Sequence, residues 1–308
     1  MIRAVVTGGT GFIGKKLTNA LAARGWLVTV LTRDVQRSQG ALHESVRLAG
    51  WNPRVLGPWV EELEAVDAVI NLAGEGVVDQ PWTKDRLAEL KASRVDVTHR
   101  LSSAIAQTKK KPKVLISASA VGIYGMRKDD EVLGEDGSLG DDVLAELCKS
   151  WERAADPARE AGVRVVHPRI GVVLGADGGA LQKMLMPFKL HVGGPIGDGK
   201  QWVSWVHWRD LVDAFVFLHD KTELTGPFNI TAPNPATMEE LAKAIGLVLH
   251  TGTHFRVPPF ALKMAIGDGP ASAILTGQRA VPRKLEQAGF EWSYPDLVPA
   301  LENLIGPK

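Results

Sequence analysis

Short apolar runs alternate with amphipathic helical segments through the first two-thirds of the chain. The apolar runs lie at 2–7, 26–31, 66–74, 113–118 and 163–167. Helical spacing of apolar residues is clearest over 84–107, and a further helix is expected at about 140–161. Uniformly apolar runs are typical of strands that are covered on both faces. Strands alternating with helices, without hairpin signals, predict a parallel doubly wound sheet.

A glycine-rich loop, GGTGFIG at 8–14, follows the first predicted strand and opens the first helix. Gly8 permits a tight turn, Gly11 lets the backbone approach a pyrophosphate, and Gly14 lets the helix pack closely. The helix N-terminus then presents free N–H groups to phosphates. A purely structural turn is the alternative, but the order strand, loop, helix, strand is the context that dinucleotide binding requires.

The end of the second predicted strand selects the cofactor. An acidic residue there would bind the ribose 2′-hydroxyl of NAD, whereas this chain has Thr32 and Arg33. A guanidinium suits the 2′-phosphate of NADP. Asp34 keeps NAD open as the alternative, and Arg37 offers a second cation. We predict NADP as the cofactor.

Four segments meet at one edge of the predicted sheet, beyond the carboxyl ends of its strands, where such sheets bind ligands: the glycine loop, 72–74, 117–124 and 168–171. The segment 72–74 has a plain strand-to-loop turn as its alternative interpretation. The residues expected to contact the cofactor, from these segments and from the end of the second strand, are Gly8, Thr10, Gly11, Phe12, Ile13, Gly14, Thr32, Arg33, Leu72, Ala73, Gly74, Ser117, Ala118, Pro168 and Arg169.

The pattern changes after residue 175. A Met-rich helix is expected at 178–191, a turn-rich stretch follows, and we expect a strand at 203–208 and a helix at 210–219 to rejoin the sheet. From 232 onward helices dominate, interrupted by prolines. The predicted fold class is therefore α/β: a Rossmann doubly wound parallel sheet with a smaller, mostly helical C-terminal substrate lobe. We assign 1–175 plus 203–231 to the dinucleotide-binding domain and 176–202 plus 232–308 to the lobe.

Composition narrows the class of protein. The 308 residues are 45% hydrophobic and carry a net charge of +1, and the basic run at 109–111 ends a predicted helix, so nucleic-acid binding is not expected. A single cysteine, Cys148, excludes an internal disulfide framework. No apolar stretch approaches ~20 residues, and the strand-like start leaves no room for a signal peptide. We expect a soluble cytoplasmic protein, a monomer or homodimer, that takes a small-molecule substrate.

No metal site is predicted. Among the eight histidines, His250 and His254 form the sole i, i+4 pair, and Gly252 lies between them. A glycine at that point argues against a helical metal-binding face.

Four motifs carry a resemblance to the extended and atypical short-chain dehydrogenase/reductase superfamily: TGGTGFIG at 7–14, NLAG at 71–74, SASAVGIYG at 117–125 and PRIGVVLG at 168–175. More narrowly, the chain resembles the branch labelled "epimerase family protein", through INLAGE at 70–75, a Trp-then-Ser-Arg helix at 82–94, GGPIG at 193–197 and GQRAVPRKLEQAGF at 277–290. The match runs from residue 2 to about 301. It implies an NADP-binding Rossmann domain with a small helical substrate lobe, and it implies no particular substrate.

The superfamily's chemistry implies a Ser that polarises a substrate oxygen, and a Tyr, assisted by a Lys, that exchanges a proton with it. Ser119 matches that Ser, with Ser117 as the less favoured candidate. The Tyr and Lys usually lie one helix later. If Lys149 fills the Lys position, Ala145 stands where the Tyr belongs.

Tyr124 and Lys128 fit the spacing Tyr-x-x-x-Lys, but Gly125 favours a loop over a helix. Tyr124 is therefore interpreted as a pocket wall or, alternatively, as a substitute acid. The predicted catalytic residues are Ser119 and Tyr124.

The remaining candidates surround the expected cleft. Arg94 occupies the position where the superfamily commonly has a catalytic Asn, and it brings a positive charge; we include it with Glu89 among the cofactor-binding residues. An Arg94–Glu89 ion pair is the alternative. Trp82, Trp205 and His207 are the substrate candidates, with core packing as the alternative for the Trp residues and a structural role for His207. Asp210 is expected to N-cap the helix after His207.

Two functions follow from these observations. The first is an NADP(H)-dependent oxidoreductase or epimerase that acts on a carbonyl or hydroxyl compound. The alternative is a non-catalytic NADP(H)-binding sensor or partner-binding protein, since some relatives carry a cell-division label and the usual Tyr is missing.

Overall fold

The computed structural model describes residues 1–253 and 255–307. The strands are β1 Arg3–Thr7, β2 Leu27–Thr32, β3 Arg47–Gly50, β4 Ala68–Asn71, β5 Val114–Ser117, β6 Ser119–Ala120, β7 Val132–Leu133, β8 Arg164–Ile170, β9 Val172–Leu174, β10 Trp202–Val203, β11 Trp205–His207, β12 Gly226–Ile230, β13 Ala236–Thr237 and β14 Arg279–Ala280. The α-helices are α1 Phe12–Ala23, α2 Val35–Ser38, α3 Lys84–Lys91, α4 Val97–Gln107, α5 Val143–Arg153, α6 Asp156–Glu160, α7 Gly179–Lys189, α8 Trp208–Asp220, α9 Met238–Val248, α10 Pro259–Ile266, α11 Asp268–Leu275, α12 Arg283–Gln287 and α13 Leu297–Ile305.

Eight strands form one central sheet in the order β12-β8-β5-β4-β1-β2-β3, with β6 also paired to β8. The pairings are parallel, as in β1, where Val6 lies opposite both Val30 and Ile70. The predicted parallel doubly wound sheet is confirmed. Since the strands run in one direction, the loops that follow β1, β2, β4, β5 and β8 share one edge of the sheet.

Both faces of the sheet are buried. Val6 packs on one face with Leu17, Leu21 and Phe215, whereas its neighbour Val5 packs on the other face with a separate cluster from helix α4. Successive side chains of a strand point to opposite faces, so uniformly apolar strands require helices on both sides. This is why the sequence predicts the sheet so directly.

The strand at 205–207 does not rejoin the central sheet, and the prediction that it would is wrong. This strand, β11, pairs with β9 instead, and the two form a separate two-stranded sheet in which Trp205 lies opposite Val172. The chain leaves the central sheet at Gly171, where a Cβ atom would stand 2.2 Å from the Ser204 carbonyl oxygen. Only a glycine fits at position 171, because the backbone at Ser204 lies too close for any side chain there. Trp205 consequently packs in a second core that helices α7, α9 and α13 line.

Two predicted helices are interrupted. Residues 84–107 form α3 and α4, joined by a π-turn at Ala92–Asp96, and the helix expected at 140–161 divides into α5 and α6. The strand β3 and a 3₁₀ helix, Pro58–Leu63, were not predicted. Across the described residues, no helix combines the length and the apolar character that crossing a bilayer needs.

Candidate functional site: the glycine loop and the carboxyl edge of the sheet

The glycine loop is shaped by backbone contacts that exclude side chains. Gly8 has φ +69°, and a Cβ there would lie 2.6 Å from the Leu72 carbonyl carbon, while a Cβ at Gly14 would lie 2.1 Å from the Gly8 carbonyl oxygen. Gly11 is exposed, and its nearest contact for a Cβ is Gly8 oxygen at 3.4 Å. No side chain in the described part of the chain caps α1 at Gly11. The first-turn N–H groups are therefore free for an anion beside bare backbone, which fits a pyrophosphate.

Phe12 and Lys16 link this helix to the loop before α7. The Phe12 ring fills a recess lined by Gly175, Gly178 and Gly179, and a Cβ at Gly178 would lie 2.3 Å from the ring. Lys16 Nζ lies 2.7 Å from the Asp177 carboxylate. The Phe12 side chain is thus occupied by packing, so the contact predicted between Phe12 and a phosphate is left to its backbone N–H, at the first position of α1.

At the end of β2, Arg33 and Asp34 are both exposed. The Arg33 side chain is 75% accessible, and its guanidinium lies 3.6 Å from the Glu75 carboxylate. Asp34 is turned away from this position because its carboxylate accepts the Arg37 N–H at 2.9 Å and caps α2. Thr32 is buried against Ser38. The residue that would favour NAD is therefore engaged in capping, and the guanidinium remains available.

Asn71 ties three strand ends together beneath the loop. Its side-chain oxygen accepts the Thr7 hydroxyl at 2.7 Å, and its amide donates to Thr98 at 2.8 Å and to Ser117 at 3.2 Å. The sequence analysis named Leu72, Ala73 and Gly74 but missed Asn71. A buried Asn inside an apolar strand was the available signal, since buried polar groups need partners.

Arg94 covers the loop after β4 from the π-turn. A Cβ at Gly74 would lie 3.1 Å from the Arg94 guanidinium carbon, and Arg94 donates to the Glu75 carbonyl oxygen at 2.7 Å. Burial lowers the pKa of Arg94 below its usual value. The alternative ion pair between Arg94 and Glu89 is wrong, because the Glu89 carboxylate pairs with Arg86. π-turns occur frequently at functional sites.

Ser117 and Ser119 differ in what their hydroxyls contact. The Ser117 hydroxyl accepts the Asn71 amide, so it belongs to the strand-end network. Ser119 is 2% exposed, and within the described residues its Oγ has no hydrogen-bond partner of normal geometry. Ala118, between β5 and β6, and Pro168, within β8, are also buried. Ser119 is the buried polar group at this edge that still needs a partner.

Tyr124 is completely buried in a 3₁₀ turn. Its hydroxyl donates to Asn229 Oδ1 at 2.7 Å and accepts from Arg169 Nη1 at 3.1 Å. Burial raises the pKa of Tyr124 above 10, so the phenol stays neutral. Lys128 is exposed beyond Gly125. This placement favours a wall residue over a proton donor for Tyr124.

Arg169 is held by three partners rather than turned toward a cofactor. Two of its nitrogens meet the Glu152 carboxylate at 2.8 and 3.1 Å, and a third donates to the Glu135 carbonyl oxygen at 3.1 Å. Burial opposes ionisation of Glu152, but the hydrogen bonds from Arg169 outweigh it and lower the pKa of Glu152. Glu135 and Glu152 were not singled out in the sequence, because their partners lie far along the chain.

The three substrate candidates have different surroundings. The Trp82 ring lies on Gly269 of α11, where a Cβ would be 2.5 Å from it, so this residue stands where the helical lobe meets the loop after β4. Trp205 is fully buried and donates to the Asn234 carbonyl at 3.0 Å, which makes it a core residue. His207 is also buried.

His207, and not Asp210, is the N-cap of α8. Its Nδ1 accepts the Arg209 N–H at 3.1 Å, and its ring stacks on Tyr294 at 4.0 Å. Burial lowers the pKa of His207 to about 4. The Asp210 carboxylate instead accepts the Ser293 and Tyr294 N–H groups at 2.8 and 3.0 Å. The N-cap prediction for Asp210 is therefore wrong.

Metal ligation finds no support in the ranges 1–253 and 255–307, where no group of three His, Cys, Asp or Glu side chains is arranged to hold an ion. His254, one half of the sequence pair considered above, lies outside the described residues.

Fold and site together define a Rossmann-type α/β protein with an uncapped glycine loop at the carboxyl edge of its sheet. The chain belongs to the NAD dependent epimerase/dehydratase family, whose profile matches residues 4–231. Residues 257–304 match a C-terminal domain of unknown function, DUF1731.

Named relatives cover nearly the whole chain. Epimerase family protein YfhF of Bacillus subtilis is 36% identical over 303 residues, which is 98% of each chain. Epimerase family protein SDR39U1 homolog, chloroplastic, of Arabidopsis thaliana is 37% identical over 97% of this chain and 86% of that one. The crystal structure of human epimerase family protein SDR39U1 (isoform 2) with NADPH superposes with a TM-score of 0.85 at 32% identity, over 98% of this chain and 99% of that one. The predicted family and fold class are thereby confirmed.

Proposed function

We propose that the chain binds NADP(H) at the glycine loop. One observation carries the proposal: the α1 N-terminus at Gly11 has no side-chain cap, and the exposed guanidinium of Arg33 stands at the end of the neighbouring strand β2. Asp34, the residue that would favour NAD, is engaged as a helix cap. The NADPH named in the human relative's structure supports the same choice.

We further propose that the protein is an oxidoreductase or epimerase of a small molecule that carries a carbonyl or hydroxyl group. A bound nicotinamide dinucleotide supplies hydride exchange. Ser119 orients and polarises the substrate oxygen, because its buried hydroxyl is unpartnered among the described residues at the edge that also carries the glycine loop. The enclosed position keeps water from competing for that hydroxyl.

A second function, a non-catalytic NADP(H)-binding sensor or partner-binding protein, is favoured by a different observation. Ala145 is fully buried on α5 at the position of the usual Tyr, and Lys149 pairs with Glu146 at 2.7 Å. Neither residue offers the usual proton donor. Under this function, cofactor binding would alter a surface rather than support turnover.

One screen separates the two functions. Purified protein is given NADPH and a carbonyl library, with Ser119→Ala and Tyr124→Phe in parallel. The enzyme function predicts NADPH oxidation with at least one compound, and loss of that activity in S119A. Tight NADPH binding without turnover on any compound would instead establish the non-catalytic function.

We propose a cytoplasmic location, supported by the single buried cysteine, which suits a reducing compartment. We also propose that the protein is a monomer or homodimer. Size measurement by light scattering tests the assembly, and fractionation of the native cells tests the location.

A further inference from the structure

Ser119 and Arg169 are direct neighbours on adjacent strands. β6 pairs in parallel with β8 so that Ser119 lies opposite Arg169. Partners in a parallel register project to the same face of the sheet. The Ser119 hydroxyl therefore shares a face with the guanidinium that holds Glu152.

Glu152 reaches this position from helix α5, which packs against the segment that carries Ser119. Its carboxylate accepts two hydrogen bonds from Arg169, and its side chain is only 15% exposed. Burial raises the pKa of Glu152, but the hydrogen bonds and charge of Arg169, then the charge of His167 and last the Ser119 hydroxyl lower it. The Ser119 Oγ itself has no hydrogen bond of normal geometry within the described residues. A small rotation of the hydroxyl is all that the pairing requires.

The other titratable groups around this point are engaged or held in one protonation state. Tyr124 is bonded to Asn229 and Arg169, and burial raises the pKa of the Cys148 thiol to about 12. His167, whose pKa is lowered by burial, lies between the Ser117 carbonyl at 3.3 Å and Arg159 at 3.1 Å. Arg94 bonds to Glu75. Glu152 is the carboxylate that Arg169 holds on the face of the sheet that Ser119 shares.

We propose that Ser119 and Glu152 form a hydroxyl–carboxylate pair that replaces the absent tyrosine, with Glu152 as the positioning residue that accepts the Ser119 proton. This inference rests on the proposed function. When a substrate hydroxyl gives its proton to Ser119 Oγ, the Ser119 proton passes to Glu152. Two O–H bonds break and two form, and the negative charge moves from the carboxylate to the substrate oxygen. Arg169 holds Glu152 ionised beforehand, so the pair favours oxidation of an alcohol above the carboxyl pKa.

The pairing is tested without a substrate, by ¹³C NMR titration of the Glu152 carboxyl in the whole protein. Ser119→Ala should raise the Glu152 pKa, since a hydroxyl that favours the charged carboxylate is lost. Ser119→Thr keeps a hydroxyl and should restore the low value. Ser117→Ala, whose hydroxyl binds Asn71, is the matched control and should leave Glu152 unchanged. An unchanged Glu152 pKa in S119A overturns the proposal, and these variants leave the Glu152–Arg169 ion pair intact.

Turnover supplies the second measurement. For an alcohol that corresponds to a compound found in the library screen, kcat for oxidation in the wild type should fall as the pH drops through the Glu152 pKa. Glu152→Gln should lose at least 100-fold in kcat together with that pH dependence, while Glu146→Gln on the same helix keeps both. A wild-type-like profile in E152Q overturns the proposal. A library without any turnover overturns the proposed enzyme function instead, and the titration then still decides whether the pair exists.

Discussion

The guanidinium of Arg33 lies 3.6 Å from the carboxylate of Glu75, across the gap between the end of β2 and the loop after β4. This ion pair is exposed, so it contributes little to stability and is easily exchanged for a better anion. A 2′-phosphate carries two negative charges and would compete for Arg33 directly.

Arg33→Asp should weaken NADPH binding roughly 10- to 100-fold, the loss expected for a charge-assisted contact, and leave NADH binding equal or stronger. Isothermal titration with both nucleotides measures this. Glu75→Gln is the control, because it frees Arg33 and should keep or improve NADPH affinity. Equal weakening of both nucleotides in R33D would refute the assignment of Arg33.

Substitutions at two glycines of the loop should distinguish an effect on folding from an effect on dinucleotide binding. Gly14→Ala forces a methyl group toward the Gly8 carbonyl at 2.1 Å, so it should cost roughly 1–3 kcal/mol of stability and abolish dinucleotide binding. Gly11→Ala meets its first atom at 3.4 Å and should fold normally, yet lose affinity because the methyl group occupies the phosphate side.

Gly50→Ala serves as the control for both variants, since a Cβ there has no described atom within 4 Å. Thermal unfolding measures the stability of the three variants, and NADPH titration measures their affinity for the cofactor. Normal NADPH affinity in G11A would show that phosphates dock elsewhere.

Local segments were predicted well from sequence, and long-range pairings were not. The strand, glycine loop and helix at 3–23 depend on contacts within a few residues, so periodicity and glycine spacing suffice. β3 has four residues and is stabilised by pairing with β2, which no local pattern records.

The same distinction holds in the site. Arg169 was named from its motif, but its partner Glu152 lies 17 residues away, and the partner of Tyr124, Asn229, lies 105 residues away. Trp205 is a substrate candidate by sequence, with core packing as the alternative, and the structure places it in the second core. An isolated Trp in a sequence does not show which core it enters. Which buried polar side chains meet depends on the register between strands, and the register cannot be read from the sequence.

His207 should make the protein sensitive to acid. Its pKa is lowered to about 4 in the folded state from an ordinary 6.5, so the unfolded chain binds the proton more readily. The stability that neutral His207 contributes is complete above about 6.5 and is lost as the pH falls toward 4. His207→Asn keeps a capping oxygen and should reduce the loss in unfolding free energy between pH 7 and 4 by roughly 2–3 kcal/mol.

Urea unfolding at a series of pH values measures this difference. His191→Asn is the control, because His191 is exposed and has φ +59°, a conformation that Asn tolerates. A wild-type pH dependence in H207N would show that other groups cause the acid sensitivity.

Tyr124 is predicted to act through structure rather than chemistry. Tyr124→Phe removes a buried hydroxyl that accepts from Arg169 and donates to Asn229, so both groups lose a partner. The expected cost is about 1–3 kcal/mol in unfolding free energy, measured by urea denaturation. Tyr294→Phe is the matched control, because its hydroxyl accepts from Arg209 at an exposed position and should cost little. NADPH affinity should be unchanged in both variants, since the Tyr124 hydroxyl is enclosed by these two partners. A Y124F protein of normal stability that had lost turnover would contradict this account and assign Tyr124 to the proton transfer.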